Sequence, residues 1–375
     1  MTQDHTDINT HQSHHDDAIT LARHAISYGT DGMLSTNNVS AEVWDHFVRQ
    51  QKRGHVLQLS SYGTLKSAFG WDSTRITVDE DGVLVAGVQI LFRKFPLGLS
   101  KLAYIPPDGP YYQTEAQAAY LWRLIDAHLR KQRVSFLKWE PGIFDSTTPP
   151  PDFDALGFAP TPQTIQPPNT VMLDISDDED AIMARMNQGT RRKIRKSQKS
   201  DIHYYEATLD DVHKFTDMMQ ITGNRNEFGV HEPRYYQLAY ELSVPQGDAA
   251  LILAEHEGDV LAGIIVYAVN QTAWYLYGAS SNEKRNLMAA YGVQWEAILW
   301  AKSRGCLRYD MWGIPDATES SLEANFTERN DGLWGVYGFK RGWGGEVVRS
   351  VGAYDKVYNA LIYKGYQTAM TFRGG

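Results

Sequence analysis

Arg191, Arg192, Lys193, Arg195 and Lys196 stand together in a 375-residue chain whose formal net charge is −9. A run this dense can neutralise phosphate groups, or it can be a solvated helix face, and the run itself admits both. Lys340 and Arg341 form a second basic pair. Gly342, Gly344 and Gly345 follow and let backbone approach a ligand. Glu140 ends a strand-like stretch before Pro141 and by itself reads as a strand-end carboxylate in solvent. The sole cysteine, Cys306, leaves no internal disulfide and no multi-thiolate zinc site. It reads as a buried small apolar residue, with a catalytic thiol as the alternative. No Ser-His-Asp order, nucleophile elbow or zinc spacing occurs. Chemistry with no metal, no cofactor and no covalent enzyme intermediate is expected.

These groups need a scaffold. The chain is 42 % hydrophobic, with ten Trp, 21 Tyr and 13 Phe, which suits a globular protein whose aromatics fill cores and line grooves. Its acidic balance argues against a protein that coats DNA. There is no signal peptide and no run of about 18 apolar residues, so a cytoplasmic protein is expected, with contact at the inner membrane face left open. Residues 1–35 are polar and carry His5, His11, His14, His15 and His24. They read as a disordered extension with a short helix over 17–26, or as a metal-binding tract.

From residue 40 the pattern runs helix (41–51), a turn at Ser60 and Ser61, hairpin (74–92), strand (102–105), helix (116–132) and strand (134–140). The prolines at 106, 107 and 110 and at 141 are breakers. The order then recurs: helices over 181–198 and 209–223, hairpin (249–268), strand (272–279), helix (289–303) and strand (307–312). Pro160, Pro162, Pro167 and Pro168 mark the separator. The expectation is an α/β (α+β) fold of two duplicated units: 36–165 with the tail 347–375, and 166–346.

Each unit resembles a GNAT unit, the acyl-CoA N-acyltransferase fold. That fold cradles the CoA pyrophosphate on a glycine-containing loop at a helix N-terminus, because backbone amides reach a phosphate only where side chains are absent. Here the corresponding loop reads Ser281-Asn-Glu-Lys-Arg-Asn-Leu-Met, with Asn286, Leu287 and Met288 where small residues are needed. The acyl group is expected to arrive on another carrier.

Five segments, in order, resemble the FemABX family of peptidoglycan-bridge aminoacyl transferases. They are Gln166-Pro-Pro-Asn-Thr-Val-Met-Leu-Asp, the Arg191 run, Trp274-Tyr-Leu-Tyr-Gly-Ala-Ser-Ser-Asn with Gln294-Trp-Glu-Ala-Ile, Tyr309-Asp-Met-Trp-Gly-Ile, and Gly335-Val-Tyr-Gly-Phe-Lys-Arg-Gly-Trp-Gly-Gly-Glu. The resemblance spans residues 40–366 and implies tandem GNAT-like units sharing a central cleft. With no sustained heptads, it is to the branch without a coiled-coil arm. It further implies that Lys66 holds the diphosphate of a UDP-linked precursor and that Tyr235 belongs to the same site. Tyr277 matches a groove residue and Glu140 faces the acceptor amine. Phe339 and Lys340 match a Phe-Lys pair, with Lys340 near the ester carbonyl or the tRNA end. His231 departs from an arginine, so Arg225 or Arg234 is expected to substitute, or the precursor is presented differently. Arg191, Arg192, Arg195 and Arg341 then become candidates for tRNA or other phosphate contact. Taken alone, Lys66 is also readable as a solvated lysine, Tyr277 as core and Glu140 as solvated. The expected partners are aminoacyl-tRNA and a UDP- or lipid-linked muropeptide. The rival readings are a CoA-dependent N-acetyltransferase and a non-catalytic binder of cell-wall precursors.

Overall fold

The computed structural model describes residues 27–28, 33–36, 39–98, 100–144, 149–226 and 229–373. The five N-terminal histidines and the helix expected over 17–26 lie outside these residues.

The first unit runs β1 (Ser27–Tyr28), β2 (Met33–Thr36), α1 (Ala41–Gln50), α2 (Ser60–Ser67), β3 (Asp72–Glu80), β4 (Val83–Lys94), β5 (Lys101–Ile105), α3 (Glu115–Lys131), β6 (Val134–Trp139) and β7 (Ala159–Thr161). The expected N-terminal extension is thereby shortened: β2 pairs antiparallel with β3 and extends the sheet. The turn expected at Ser60 is instead the start of α2. Its N-cap, Leu59, offers no side-chain bond. Asp45, fifteen residues earlier on α1, accepts from the Ser60 amide at 2.6 Å and from the Ser60 hydroxyl. A cap borrowed from another helix leaves no local signal.

The second unit runs β8 (Asn169–Asp174), α4 (Glu179–Arg185), α5 (Gln188–Gln198), β9 (His203–Glu206), α6 (Val212–Asn226), α7 (Pro233–Ser243), β10 (Ala249–His256), β11 (Asp259–Val269), β12 (Thr272–Ser280), α8 (Ala289–Ser303) and β13 (Arg308–Asp310). The chain ends with α9 (Glu319–Asn325), α10 (Trp334–Lys340), β14 (Glu346–Arg349), β15 (Ala353–Val357) and α11 (Ala360–Arg373). The single helix expected over 181–198 is two. Asn187 caps α5, accepting from the Thr190 amide at 2.7 Å, and so breaks the helical run.

The sheets are ordered β1-β2-β3-β4-β5-β6-β15-β7 and β14-β8-β13-β12-β11-β10-β9. In each, a hairpin leads to a strand, a crossover helix (α3 or α8) and a strand parallel to the one before it. The parallel pairs are β5 with β6 and β12 with β13. This shared order is the tandem GNAT-like architecture. The longest helix, α3, has 17 residues, so the described residues contain no coiled-coil arm. The tail does not return to the first sheet at 347, as expected: β14 pairs with β8 in the second sheet, and only β15 crosses back. There Lys138 and Asp355 pair at 2.8 Å, 1 % and 2 % exposed. Gln163 O and the Tyr363 hydroxyl complete the bonding, so the buried charges are compensated.

Trp44, Phe47, Leu57, Leu59 and Leu65 of the first unit pack with Phe215, Met218, Tyr235, Leu253 and Ile265 of the second in one apolar cluster. Each such large side chain contributes roughly 1.5–3 kcal/mol on burial. The two units therefore share a core, which fixes the surfaces that face each other across the cleft.

Candidate functional site

Lys66 projects from α2, which packs against α7. Its Nζ lies 5.8 Å from the Tyr62 ring, 5.9 Å from Trp71 and 5.6 Å from Tyr235. Three π faces attract a cation and hold it in place. Among the described residues it has no hydrogen bond and no ion pair, and burial followed by the Arg93 charge lowers its pKa. Pro233 at the first position of α7 starts that helix, which carries buried Tyr235. The His231 ring stacks on Tyr235 at 3.7 Å and 12°, and the Tyr235 and Tyr277 hydroxyls meet at 3.2 Å. Burial, then the Lys66 charge, depresses His231 to about 4, so its imidazole is neutral at pH 7. Lys66, His231, Tyr235 and Tyr277 thus converge on one aromatic box.

Arg225 is not part of it. Its guanidinium bonds Ser280 O at 3.1 Å, Ser280 Oγ at 2.9 Å and Asn282 Oδ1 at 2.9 Å, at the end of β12. The substitution for an arginine at position 231 expected of Arg225 is therefore not made there.

Glu140 joins this box to the cleft between the units. It is 5 % exposed. Its carboxylate accepts from the Tyr104 hydroxyl at 2.5 Å, from the Gln166 amide at 3.1 Å and from the Ile165 amide. Burial raises its pKa and these bonds oppose the rise. Tyr104 lies 6.2 Å from Trp71. The Tyr62 hydroxyl is pushed well above its ordinary range by burial, then by Tyr235 and Glu140 together. An unbroken line of groups runs from Lys66 to Glu140.

On the far side, Glu140 lines a cavity with Arg53, Asp108, Trp274, Asp310 and Trp312. Arg53 pairs with Asp108, bonds Pro141 O at 2.7 Å and stacks 3.8 Å from the Phe144 ring. Burial lifts the Asp108 carboxyl to about 6 against the pull of Arg53. Asp310 accepts from Trp312 N at 2.7 Å and from the Thr170 hydroxyl. Its pKa too is raised by burial. Trp312 is left-handed at φ 59°, a conformation a bulky residue adopts only when its surroundings enforce it.

Lys340 supplies part of that enforcement. It is 6 % exposed, and its ammonium donates to Trp312 O at 3.1 Å and Gly313 O at 2.7 Å. Burial, opposed by Asp310, depresses it to about 7. It therefore stands behind the cavity wall and grips it. The resemblance implies a place near the ester carbonyl or the tRNA end; here the ammonium is turned to the carbonyls of the wall, a direction that adjacency along α10 does not report. Phe339 turns elsewhere, edge-on to Tyr291 at 4.9 Å and near Trp343 at 5.6 Å. Lys340, Phe339 and Glu140 do not form one cluster.

The remaining basic candidates divide. Arg191 bonds Ala184 O at 3.1 Å and Met186 O at 2.6 Å, closing the end of α4. Arg341 pairs with Glu323 and lies 4.0 Å over the Phe326 ring. Arg192 and Arg195 are exposed and line an open basic groove with Lys196 and Lys199. The glycines at 342, 344 and 345 serve the chain's own packing rather than a ligand. A Cβ there would meet Thr190 Oγ1, Arg185 C and Met172 O at 2.3, 2.5 and 2.6 Å.

Sequence reasoning missed Arg53, Asp108 and Asp310. Asp108 sits in a proline-rich breaker and pairs across 55 positions, which no local pattern announces. Before α8, Lys284 and Met288 take left-handed φ of 43° and 62° without glycine, so the loop keeps its bulky side chains. The described residues include no cluster of His, Cys, Asp and Glu fit for a metal and no helix long and apolar enough to cross a membrane.

Comparison with known proteins agrees with this architecture. The crystal structure of FemX superposes with a TM-score of 0.78, at 21 % identity, covering 88 % of this chain and 98 % of that one. The lipid II:glycine glycyltransferase of Staphylococcus saprophyticus is 24 % identical over 403 residues, covering 87 % of this chain and 94 % of the relative. That of Staphylococcus haemolyticus is 23 % identical over 404 residues, with the same coverage. The FemAB family model matches residues 39–148, 152–257 and 249–371, nearly the whole of both units. With that match spanning both sheets, the chain belongs to the FemAB family.

Proposed function

We propose that this protein is an aminoacyl transferase. It moves an amino acid from aminoacyl-tRNA to the stem-peptide amine of a peptidoglycan precursor, carried on UDP or on a lipid. One observation carries the reading. The aromatic box holds Lys66 with no anionic partner among the described residues and leads through Glu140 into the cleft between the units. A diphosphate-linked peptide laid along that line would have its charge at Lys66 and its amine at Glu140. The relatives named as lipid II:glycine glycyltransferases support a cell-wall acceptor.

The chemistry is aminolysis of an ester. The acceptor ammonium loses a proton to a carboxylate of the cleft, and its nitrogen attacks the ester carbonyl carbon. The tetrahedral intermediate collapses as the ester C–O bond breaks, the ribose oxygen of the tRNA leaving as a hydroxyl with the second proton shed by the amine. Glu140 already holds three donors on its carboxylate, the Gln166 amide reaching both oxygens, and acts on the ammonium through its negative charge at the edge of the cleft. Asp108, its carboxyl lifted to about 6, is the second base available in the cleft. Lys340 is a positioning residue: it fixes Trp312 and Gly313, and hence the wall against which the ester lies. Holding two substrates in line can itself supply roughly 7–11 kcal/mol of the acceleration. Exposed Arg192 and Arg195 offer phosphate contacts for tRNA, and a lipid-linked acceptor would bring the protein to the inner membrane face.

The test is incubation with a pool of charged tRNAs and both precursors, read by mass spectrometry. A gain of one amino-acid residue that depends on charged tRNA is expected. A product that gains an acetyl group from acetyl-CoA, or tight precursor binding with no turnover, would overturn the reading.

A further inference from the structure

The box contains one more cation than the sequence suggested. Arg93, near the end of β4, places its guanidinium 5.4 Å from the Trp71 ring, the ring that Lys66 approaches at 5.9 Å. The two charges are close enough that Arg93 contributes to the depression of Lys66. Neither has a carboxylate partner or a hydrogen bond among the described residues. The acid nearest in the strand ladder, Asp72, is paired with the neighbouring Lys94 at 3.7 Å. In a chain with 45 acidic and 36 basic residues, two cations without an anionic partner beside one indole make a local positive spot that an anion would complement.

We propose that Arg93 and Lys66 together form the seat for the precursor's diphosphate, with Arg93 supplying the second positive charge that the neutral His231 does not. A guanidinium fork matches two non-bridging oxygens and the ammonium adds a compact point charge. His231, stacked on Tyr235, becomes part of the box's wall. Arg225 is committed to the end of β12 and does not compete. This inference rests on the reading that the box holds the precursor, and it names the residue that reads the precursor's charge.

Calorimetric titrations of wild type, Arg93→Ala, Arg93→Lys and Lys66→Ala separate the two ideas. The ligands are UDP-MurNAc-pentapeptide, lipid II in neutral detergent micelles, and the stem peptide without diphosphate. Arg93 is exposed, so its replacement disturbs no core, and thermal melts verify that. Arg93→Ala should weaken binding of a diphosphate-bearing precursor about 10- to 100-fold, the worth of a charge-assisted hydrogen bond. It should also flatten the salt dependence and leave the stem peptide unaffected. Arg93→Lys should recover part of the loss. Adding His231→Arg to Arg93→Ala should recover part as well, since it returns a cation to the box. A loss seen with only one precursor supports the seat and identifies its source as nucleotide or lipid. If Lys66→Ala impairs binding while Arg93→Ala matches wild type, the role of Arg93 is refuted and the box survives. If neither variant weakens either precursor, both ideas fall.

Discussion

Lys340→Met tests how the cleft wall is held. The wild-type ammonium is buried with two carbonyl partners and titrates at about 7, against 10.5 for a free lysine. At about 1.36 kcal/mol per pKa unit, keeping the charge buried costs the fold on the order of 5 kcal/mol. The sign follows from proton counting. Below pH 7 the lysine is charged in both states, so stability does not change with pH on its account. Between pH 7 and 10.5 the unfolded chain binds more protons than the native one, so native stability rises with pH. Relative to Lys340→Met, which cannot titrate, wild type should gain about 2 kcal/mol of unfolding free energy from pH 7 to 9. Urea titrations of both proteins at several pH values supply the difference curve. The variant also leaves Trp312 O and Gly313 O without that donor, a cost of about 1–3 kcal/mol per carbonyl. This shifts the curve vertically without changing its slope. In turnover, kcat should fall while the KM for precursor stays near wild type, because the wall moves and the Lys66 box does not. A difference curve flat from pH 7 to 9 would show that the lysine stays charged and that the account of its burial is wrong.

Three further outcomes follow from the same geometry. Asp45→Ala removes the borrowed cap of α2. It should cost about 1–2 kcal/mol in urea unfolding and weaken precursor binding, since Lys66 rides on that helix. Glu140→Gln turns an amide donor toward groups that already donate. It should destabilise by about 1–3 kcal/mol and depress kcat, whereas indifference in both assays would remove Glu140 from the line between box and cleft. Replacing exposed Arg192 and Arg195 by glutamate should reduce the salt slope of tRNA binding by roughly 0.7–0.9 per lost phosphate contact with an unchanged melting temperature. An unchanged slope would return α5 to a solvated face.

Much of the architecture was legible because it is written in short-range patterns. The hairpin around Gly258 and Asp259, the helix over 289–303 and the strand before Glu140 each carry their own period and breakers, and their recurrence exposed the duplication. The bulky side chains before α8 told against a CoA loop for an equally local reason, the steric volume beside a helix N-terminus. Lys66, Tyr235 and Tyr277 were recoverable from the resemblance, although 211 positions separate the first from the last.

What folding alone decided is how side chains are aimed and which distant segments meet. Phe339 and Lys340 are neighbours in sequence, yet one packs on Tyr291 and the other grips Trp312. Successive residues on a helix point about 100° apart, and only the packing around α10 selects the face. The start of α2 depends on Asp45. The last two strands part between Arg349 and Ala353, one for each sheet. The Arg53–Asp108 pair and the approach of Arg93 to Lys66 join residues from separate elements. Periodicity reports the local torsions of a chain, while a shared electrostatic site exists only once the apolar core between two units has closed and fixed the spacing of its charges.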